Sequence, residues 1–296
     1  DNAHIGFLPP EEVLVAATGS QGEPRAALSK LAEDRHPQLL LAKDDLVIFS
    51  ANLIPGNEML VSRLVDKLKA KQLKVLQAAG YTVHVATKAQ DDGKHLCCGR
   101  TYLASGMVEQ AKDKAREVVQ SLLPFAHKGI AIVGLEPSCL LTLRDEMLVM
   151  GLGDAPQLIA RHALLFEEFL AREAKAGRLD GLKARLKAVD QPVLLHGHCH
   201  QKAFDAVSPV MEVLRWIPGA NPTLIESSCC GMAGSFGYEA SHHDVSMQMA
   251  ELSLLPAVRA QPDAIVVADG TSCRHQIHDG AAREAVHLAK LLADLI

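Results

Sequence analysis

Short runs of β-branched and other apolar residues, bounded by Gly, Pro and Asp, alternate with stretches of helical period along the chain. Short runs of this kind suit strands buried on both faces, and the longer amphipathic stretches suit helices that cover them. The pattern predicts strands over residues 13–17, 46–50, 81–86, 129–134, 192–196, 223–226 and 264–268. It predicts helices over 24–33, 57–79, 107–125, 155–176, 181–188, 201–214, 241–257 and 281–295. Such alternation specifies an α/β protein with mostly parallel sheets.

The pattern also repeats. Cys97-Cys98-Gly99 and Cys229-Cys230-Gly231 each follow a predicted strand and precede a long helix. A further strand then leads to a lone cysteine, in Glu136-Pro137-Ser138-Cys139 and in Gly270-Thr271-Ser272-Cys273. Cys98 maps onto Cys230 at an offset of 132, and Cys139 onto Cys273 at an offset of 134. Two related α/β lobes are expected, over roughly 45–150 and 190–296. By domain, 1–65 is an N-terminal strand-helix-strand segment, 66–150 the first repeat, 151–189 a solvated helical connector and 190–296 the second repeat.

Composition narrows the class. The 296 residues are 48% hydrophobic and 22% charged with a formal net charge of −5, the profile of a soluble globular protein. The acidic balance gives no global attraction to nucleic acid or to an anionic membrane. No apolar run approaches the roughly 18 residues that span a bilayer, and Asp1-Asn2-Ala3-His4 lacks a basic signal-peptide start. A cytoplasmic protein is expected, peripheral to a membrane only through partners. The start without methionine suits a fragment, a trimmed chain or a processed product.

Seven cysteines are too few for a disulfide scaffold and odd in number, so two vicinal pairs favour metal or redox chemistry in a reducing compartment. Parallel sheets place chemistry in loops beyond the carboxyl ends of their strands. Cys199, Cys229, Cys230 and Cys273 all follow predicted strands of the second repeat. Glycine after each vicinal pair permits a tight turn or a close approach to a bound group. Four convergent thiolates suit an iron–sulfur cluster.

The motifs His95-Leu96-Cys97-Cys98-Gly99-Arg100, Gly134-Leu135-Glu136-Pro137-Ser138-Cys139, His196-Gly197-His198-Cys199-His200, Ser227-Ser228-Cys229-Cys230-Gly231 and Gly270-Thr271-Ser272-Cys273 carry a family resemblance. From about residue 75 to 296 the chain resembles the cysteine-rich CCG domain. That domain occurs in the iron–sulfur component of glycolate oxidase, in one component of heterodisulfide reductase and at the carboxyl end of FAD-linked 2-hydroxyacid dehydrogenases. This chain looks closest to the FAD-linked oxidase branch.

The resemblance implies two Rossmann-like lobes and an oxidoreductase component that relays electrons, with no catalytic residue of its own. It implies a 4Fe–4S cluster, non-cubane in the best-studied members, with FAD only in a partner domain or subunit and a ferredoxin-type module as a further partner. The substrate of that partner would be a 2-hydroxyacid of the glycolate, D-lactate or D-2-hydroxyglutarate type. The family pattern per repeat is a lone Cys, then Cys-Cys-Gly, then Cys-x-x-Cys. Cys199, Cys229, Cys230 and Cys273 are the expected ligands, although Gly270 stands where the first cysteine of the last motif would be. Cys97, Cys98 and Cys139 remain for a second or shared site, with Glu136 in the corresponding position as an oxygen ligand or, in preference, a solvated or helix-capping residue. His198 and His200 are expected to hydrogen-bond to cluster sulfur. The alternating His196, His198 and His200 leave zinc open as a rival.

Leu14-Val15-Ala16-Ala17-Thr18-Gly19-Ser20-Gln21-Gly22-Glu23-Pro24 and Val47-Ile48-Phe49-Ser50-Ala51-Asn52-Leu53-Ile54-Pro55-Gly56-Asn57 resemble part of the β-CASP region of ribonuclease J, over about residues 5–65. Nuclease chemistry needs a metal centre, and that family's metal-ligand motifs are missing, so an inert segment that binds no nucleic acid is expected. Strand 46–50 and the helix after it could supply the opening unit of the first repeat. A zinc-dependent hydrolase or RNA-processing fragment, and an inactive hybrid, are the alternative functions.

Overall fold

The computed structural model describes residues 73–86 and 96–296 in full and residues 46–49 through their backbone. The predicted strand at 13–17, the helix at 24–33 and most of the helix at 57–79 lie outside the described residues. There are two compact units: described residues up to Leu135 with Cys139–Leu164, and Glu136–Ser138 with Leu165–Ile296.

In the first unit, β1 (Leu46–Phe49), β2 (Val83–Val85), β3 (Ala131–Gly134) and β4 (Ala163–Leu165) form a sheet of order β2-β1-β3-β4. β1 runs parallel to both neighbours, with Leu46 opposite Val83 on one side and Ala131 on the other. In the second, β5 (Val193–Leu195), β6 (Pro222–Leu224), β7 (Ile265–Val267) and β8 (Ala285–Val286) form a sheet of order β6-β5-β7-β8. Its pairs are parallel too, with Val193 opposite Pro222 and Ile265. The α/β repeat read from the sequence is therefore present as one strand order built twice.

Around the first sheet lie α1 (residues 73–78), α2 (Arg100–Ala104), α3 (Val108–His127), α4 (Pro137–Arg144) and α5 (Ala155–His162). α3 buries Ala111, Ala115, Val118, Leu122 and Phe125, a spacing of three or four that puts them on one helical face. The second unit contains α6 (Phe166–Lys175), α7 (Asp180–Lys183), α8 (Cys199–Ala203) and α9 (Val207–Leu214). It continues with α10 (His243–Glu251), α11 (Leu254–Ala260), α12 (Thr271–Ala281) and α13 (Leu288–Leu295).

Several expectations need correction. β4 and β8 fall inside 155–176 and 281–295, whose pattern suggests continuous helices; strands of two or three residues are too short to show a period of two. The helix expected over 201–214 breaks into α8 and α9 where Asp205 adopts φ 53°. The one at 241–257 divides into α10 and α11. The hydrophobic pattern does not predict α12, because Thr271-Ser272-Cys273-Arg274-His275-Gln276 has no apolar stripe. Nor is the stretch 151–189 a solvated connector: α6 buries Phe166, Glu167, Phe169 and Leu170.

The core of the second unit gathers Leu194, Ile225, Met232, Leu254, Val258, Val266 and Ile277, and Cys230 and Cys273 belong to it. The two Cys-Cys-Gly glycines explain the backbone there. Gly99 (φ 81°) and Gly231 (φ 93°) occupy the left-handed region, and an added Cβ would meet Ala111 O of α3 at 2.8 Å and Ser246 O of α10 at 2.1 Å. The close approach is thus to a helix backbone, which fixes each cysteine pair against that helix. Gly231→Ala should cost about 3 kcal/mol or more, combining backbone strain and overlap. Gly234→Ala, at φ 73° but facing open space, should cost only about 1 kcal/mol; urea unfolding of the two variants measures the difference.

Candidate metal centre

In the second sheet β5 lies between β6 and β7, so chains leaving β5 and β7 open a crevice at the carboxyl edge where the strand order reverses. β5 ends at Leu195 and leads through His196-Gly197-His198 into α8, which begins at Cys199. β6 leads to Cys229 and Cys230, and β7 leads through Asp269-Gly270 into α12, which carries Cys273 in its first turn. Cys273 Sγ lies 3.4 Å from Cys230 Sγ. The sulfurs form a continuous run of contacts, Cys199 with Cys229, Cys229 with Cys230, and Cys230 with Cys273. All four sequence-predicted cysteines therefore converge, from exposed Cys199 to buried Cys230 and Cys273.

Packed thiols do not ionise independently. Cys229 is held well below the ordinary thiol range because Cys199 and Cys230 donate to it, against the cost of burial, and the N–H groups of Gly231 and Ala233 add to this. Gly231 N reaches Cys229 Sγ at 3.3 Å. Gly231, Ala233 and Gly234 all have positive φ, the curl that aims successive N–H groups at one anion. Cys273 is likewise held low by donation from Cys230, against burial, with His198 and His196 assisting. Cys199 is pushed up by donation to Cys229 and by burial, Cys230 by donation to Cys229 and Cys273 and by burial. Lys202 donates to Ser227 O and, at 2.8 Å, to Ser228 O, tying α8 to the loop before Cys229. Burial lowers its pKa while the surrounding sulfurs oppose the shift.

The histidines divide by role. His198 accepts from His200 N at 3.1 Å, and Gln201 Oε1 accepts from His198 N at 2.9 Å, so together they cap α8. The His198 ring also lies against Gly270, where an added Cβ would come within 2.3 Å of Cδ2. A cysteine at 270 has no room beside that ring. His198, Cys199 and His200 bring one ligand atom each within 4.8 Å of one another, as do His196, Cys230 and Cys273. His196, the first of the three alternating histidines, is 1% exposed, with Nδ1 3.0 Å from Ser227 Oγ.

A buried polar frame holds the loops. Glu136, half-buried, accepts from Thr271 N and Thr271 Oγ1 at 2.9 Å and from Ser138 Oγ at 2.8 Å. It caps the helix that carries Cys273, so the solvated alternative is wrong and the capping one applies to a helix 135 residues away in sequence. Burial opposes its ionisation, but His198, Arg274 and the Thr271 N–H outweigh that and lower its pKa. Arg274 donates to Ala268 O and Asp269 O at 2.9 and 2.6 Å. Gln201 Nε2 bridges Glu167 and Asp269, at 2.5 and 3.0 Å. Arg274 and Glu167 carry no local sequence signal, and the partners of Glu136 are invisible in the sequence around it.

Cys97, Cys98 and Cys139 are arranged differently. Gly99 N donates to Cys97 Sγ and Arg100 N to Cys98 Sγ, each at 3.5 Å. Burial and the neighbouring Cys98 push the Cys97 thiol up to about 11. Among the described residues, no group of three potential metal ligands includes any of these cysteines.

The cysteine-rich domain model, CCG, matches residues 61–144 and 193–278, more than half of the chain. The chain belongs to the CCG cysteine-rich domain family. One subunit of the anaerobic glycerol-3-phosphate dehydrogenase of Escherichia coli K12 is 28% identical over 225 residues, 76% of this chain and 54% of that relative. The chain thus spans about half the length of that curated relative. Residues 1–68 match the β-CASP domain of ribonuclease J. The ribonuclease J of Mycolicibacterium smegmatis is 40% identical over 89 residues, 30% of this chain and 16% of that protein.

β1 lies within the ribonuclease J match yet pairs between β2 and β3 of the first CCG repeat. Its counterpart β5 leads to Cys199, whereas β1 leads into Ser50-Ala51-Asn52. The lone cysteine missing from the first CCG repeat falls where the chain has ribonuclease J-like sequence.

Glu167 offers a test of the frame. Burial and the neighbouring Asp269 hold its pKa well above the ordinary 4.5, with Glu168 adding and Gln201 opposing. The folded CCG unit therefore binds a proton that the unfolded chain releases at lower pH. That stabilisation is complete below the ordinary glutamate range and is lost as pH rises through the raised value. Glu167→Gln should flatten the fall in stability on the alkaline side, measured by urea midpoints across pH.

Proposed function

We propose that this chain is an iron–sulfur electron relay of a flavin-linked dehydrogenase, with its cluster in the second repeat. The observation that carries the reading is the convergence of Cys199, Cys229, Cys230 and Cys273 at the strand-order reversal, with the Cys230 and Cys273 sulfurs 3.4 Å apart. Buried thiolates are costly unless cations or N–H groups compensate, and the loop at Gly231–Gly234 and Lys202 supply partial compensation only. A cationic iron–sulfur unit completes it. When bound, such a cluster accepts and passes on single electrons at a potential set by hydrogen bonding and burial. The chain's own residues hold it and exclude water, while His198 and His200 line its mouth.

The cluster is of the 4Fe–4S type, non-cubane by analogy with studied members of the family. Substrate oxidation belongs to a separate FAD-bearing domain or subunit, and a ferredoxin-type module is a further partner. The named relative supports a multi-subunit dehydrogenase setting. A 2-hydroxyacid substrate of the glycolate, D-lactate or D-2-hydroxyglutarate type is our reading, with glycerol 3-phosphate the comparison compound in partner assays. Among the described residues no helix is long and apolar enough to cross a membrane, and contact with a membrane would come through partners. The ribonuclease J-like segment is proposed to be catalytically inert and to bind no nucleic acid.

The group of His198, Cys199 and His200 gives zinc a specific second reading. Anaerobic reconstitution with iron and sulfide separates the two. Visible absorption and electron paramagnetic resonance should show a cluster in the wild-type chain, lost or reduced at least tenfold in Cys230→Ser and Cys273→Ser. Cys139→Ser should leave it intact. Loss of the signal in Cys139→Ser would instead indicate a site shared by both repeats, and a metal unaffected by Cys230→Ser would favour zinc.

A further inference from the structure

Gly270 and the imidazole beside it raise a question about the ligand set: what replaces the missing cysteine. His198 fills the space, but its Nδ1 lone pair is committed to His200 N at 3.1 Å, which leaves Nε2 to carry the proton and act as a donor. His196 is arranged the other way. Its ring is 1% exposed, Nδ1 meets Ser227 Oγ at 3.0 Å, and buried Nε2 has no nitrogen or oxygen partner; the ring's remaining hydrogen bond is to the sulfur of Cys273. A ring nitrogen of His196 lies within 4.8 Å of the sulfurs of Cys230 and Cys273.

Metal-binding histidines commonly donate their second ring N–H to a fixed polar group, which orients the ring and sets the tautomer. Ser227 fits that role, since Lys202 Nζ donates both to its Oγ, at 3.3 Å, and to its backbone carbonyl and so holds it in place. We propose that His196 is a ligand of the cluster through Nε2, giving a mixed set of four cysteines and one histidine in place of the all-cysteine set. This deepens the iron–sulfur reading and rests on it. An uncharged imidazole where a thiolate would stand removes one negative charge from the ligand set. Such replacement raises the reduction potential in other iron–sulfur centres, so this site should be easier to reduce than an all-cysteine one.

The test uses the full chain reconstituted anaerobically, with histidine labelled with nitrogen-15, and pulsed electron paramagnetic resonance of its paramagnetic state. A directly coordinated nitrogen should give a strong hyperfine coupling that changes with the isotope and is absent in His196→Gln. His196→Cys, which restores a thiolate and guards against simple failure to assemble, should bind the cluster without that coupling and at a lower midpoint potential. A cluster with no strong histidine coupling, or a coupling that persists in both variants, overturns His196 as the ligand and leaves the cluster reading standing. Failure of the wild-type chain to take up iron and sulfide overturns both.

Discussion

Two cysteine sulfurs 3.4 Å apart within a hydrophobic core impose the constraint around which the second unit is built. Ionised together they would repel in a medium that screens poorly, and neutral they would leave a polar assembly with no evident purpose. Each surrounding feature answers that conflict. The positive-φ turn after Cys230 aims N–H groups at Cys229, and Lys202 approaches from α8. Arg274 and Glu136 fix the first turn of the helix beneath Cys273. The parallel sheet supplies the location, because three successive strands deliver their loops to one edge.

The same constraint separates the two repeats. Both keep the Cys-Cys-Gly turn pressed on a helix backbone, through Gly99 on Ala111 and Gly231 on Ser246, so the fold of the turn outlasts a full ligand set. The first repeat carries ribonuclease J-like sequence through its opening strand and on to residue 68. β1 still meets the backbone demands of a central parallel strand, which any β-branched run such as Leu46-Val47-Ile48-Phe49 can satisfy. The sequence that follows it, Ser50-Ala51-Asn52-Leu53-Ile54-Pro55-Gly56, has no cysteine. Strand pairing is generic and ligand sets are particular, so substitution of sequence there preserves the first and removes the second.

Much of this is legible in the sequence for physical reasons. Strands β2, β3, β5 and β7 lie within buried β-branched runs, and the four cysteines follow strands of a repeat. Other features are hidden by kind. β4 and β8 are too short to carry a period, and α12 is a polar helix whose burial comes from its partners. Glu136 acts on Thr271 across 135 residues, and Glu167 meets Gln201 across 34, separations at which local pattern has no signal. His196 is visible only as one of three alternating histidines; its burial, and the commitment of the His198 lone pair to a helix cap, emerge only in three dimensions.

The proposed electron relay requires that the second unit hold iron and sulfide. The most direct measurement is the iron, acid-labile sulfide and zinc content of the full chain purified anaerobically without added metal. Iron and sulfide in near-equal amounts, about four of each per chain, with zinc well below one equivalent, is the predicted result. Stoichiometric zinc with no sulfide would contradict it.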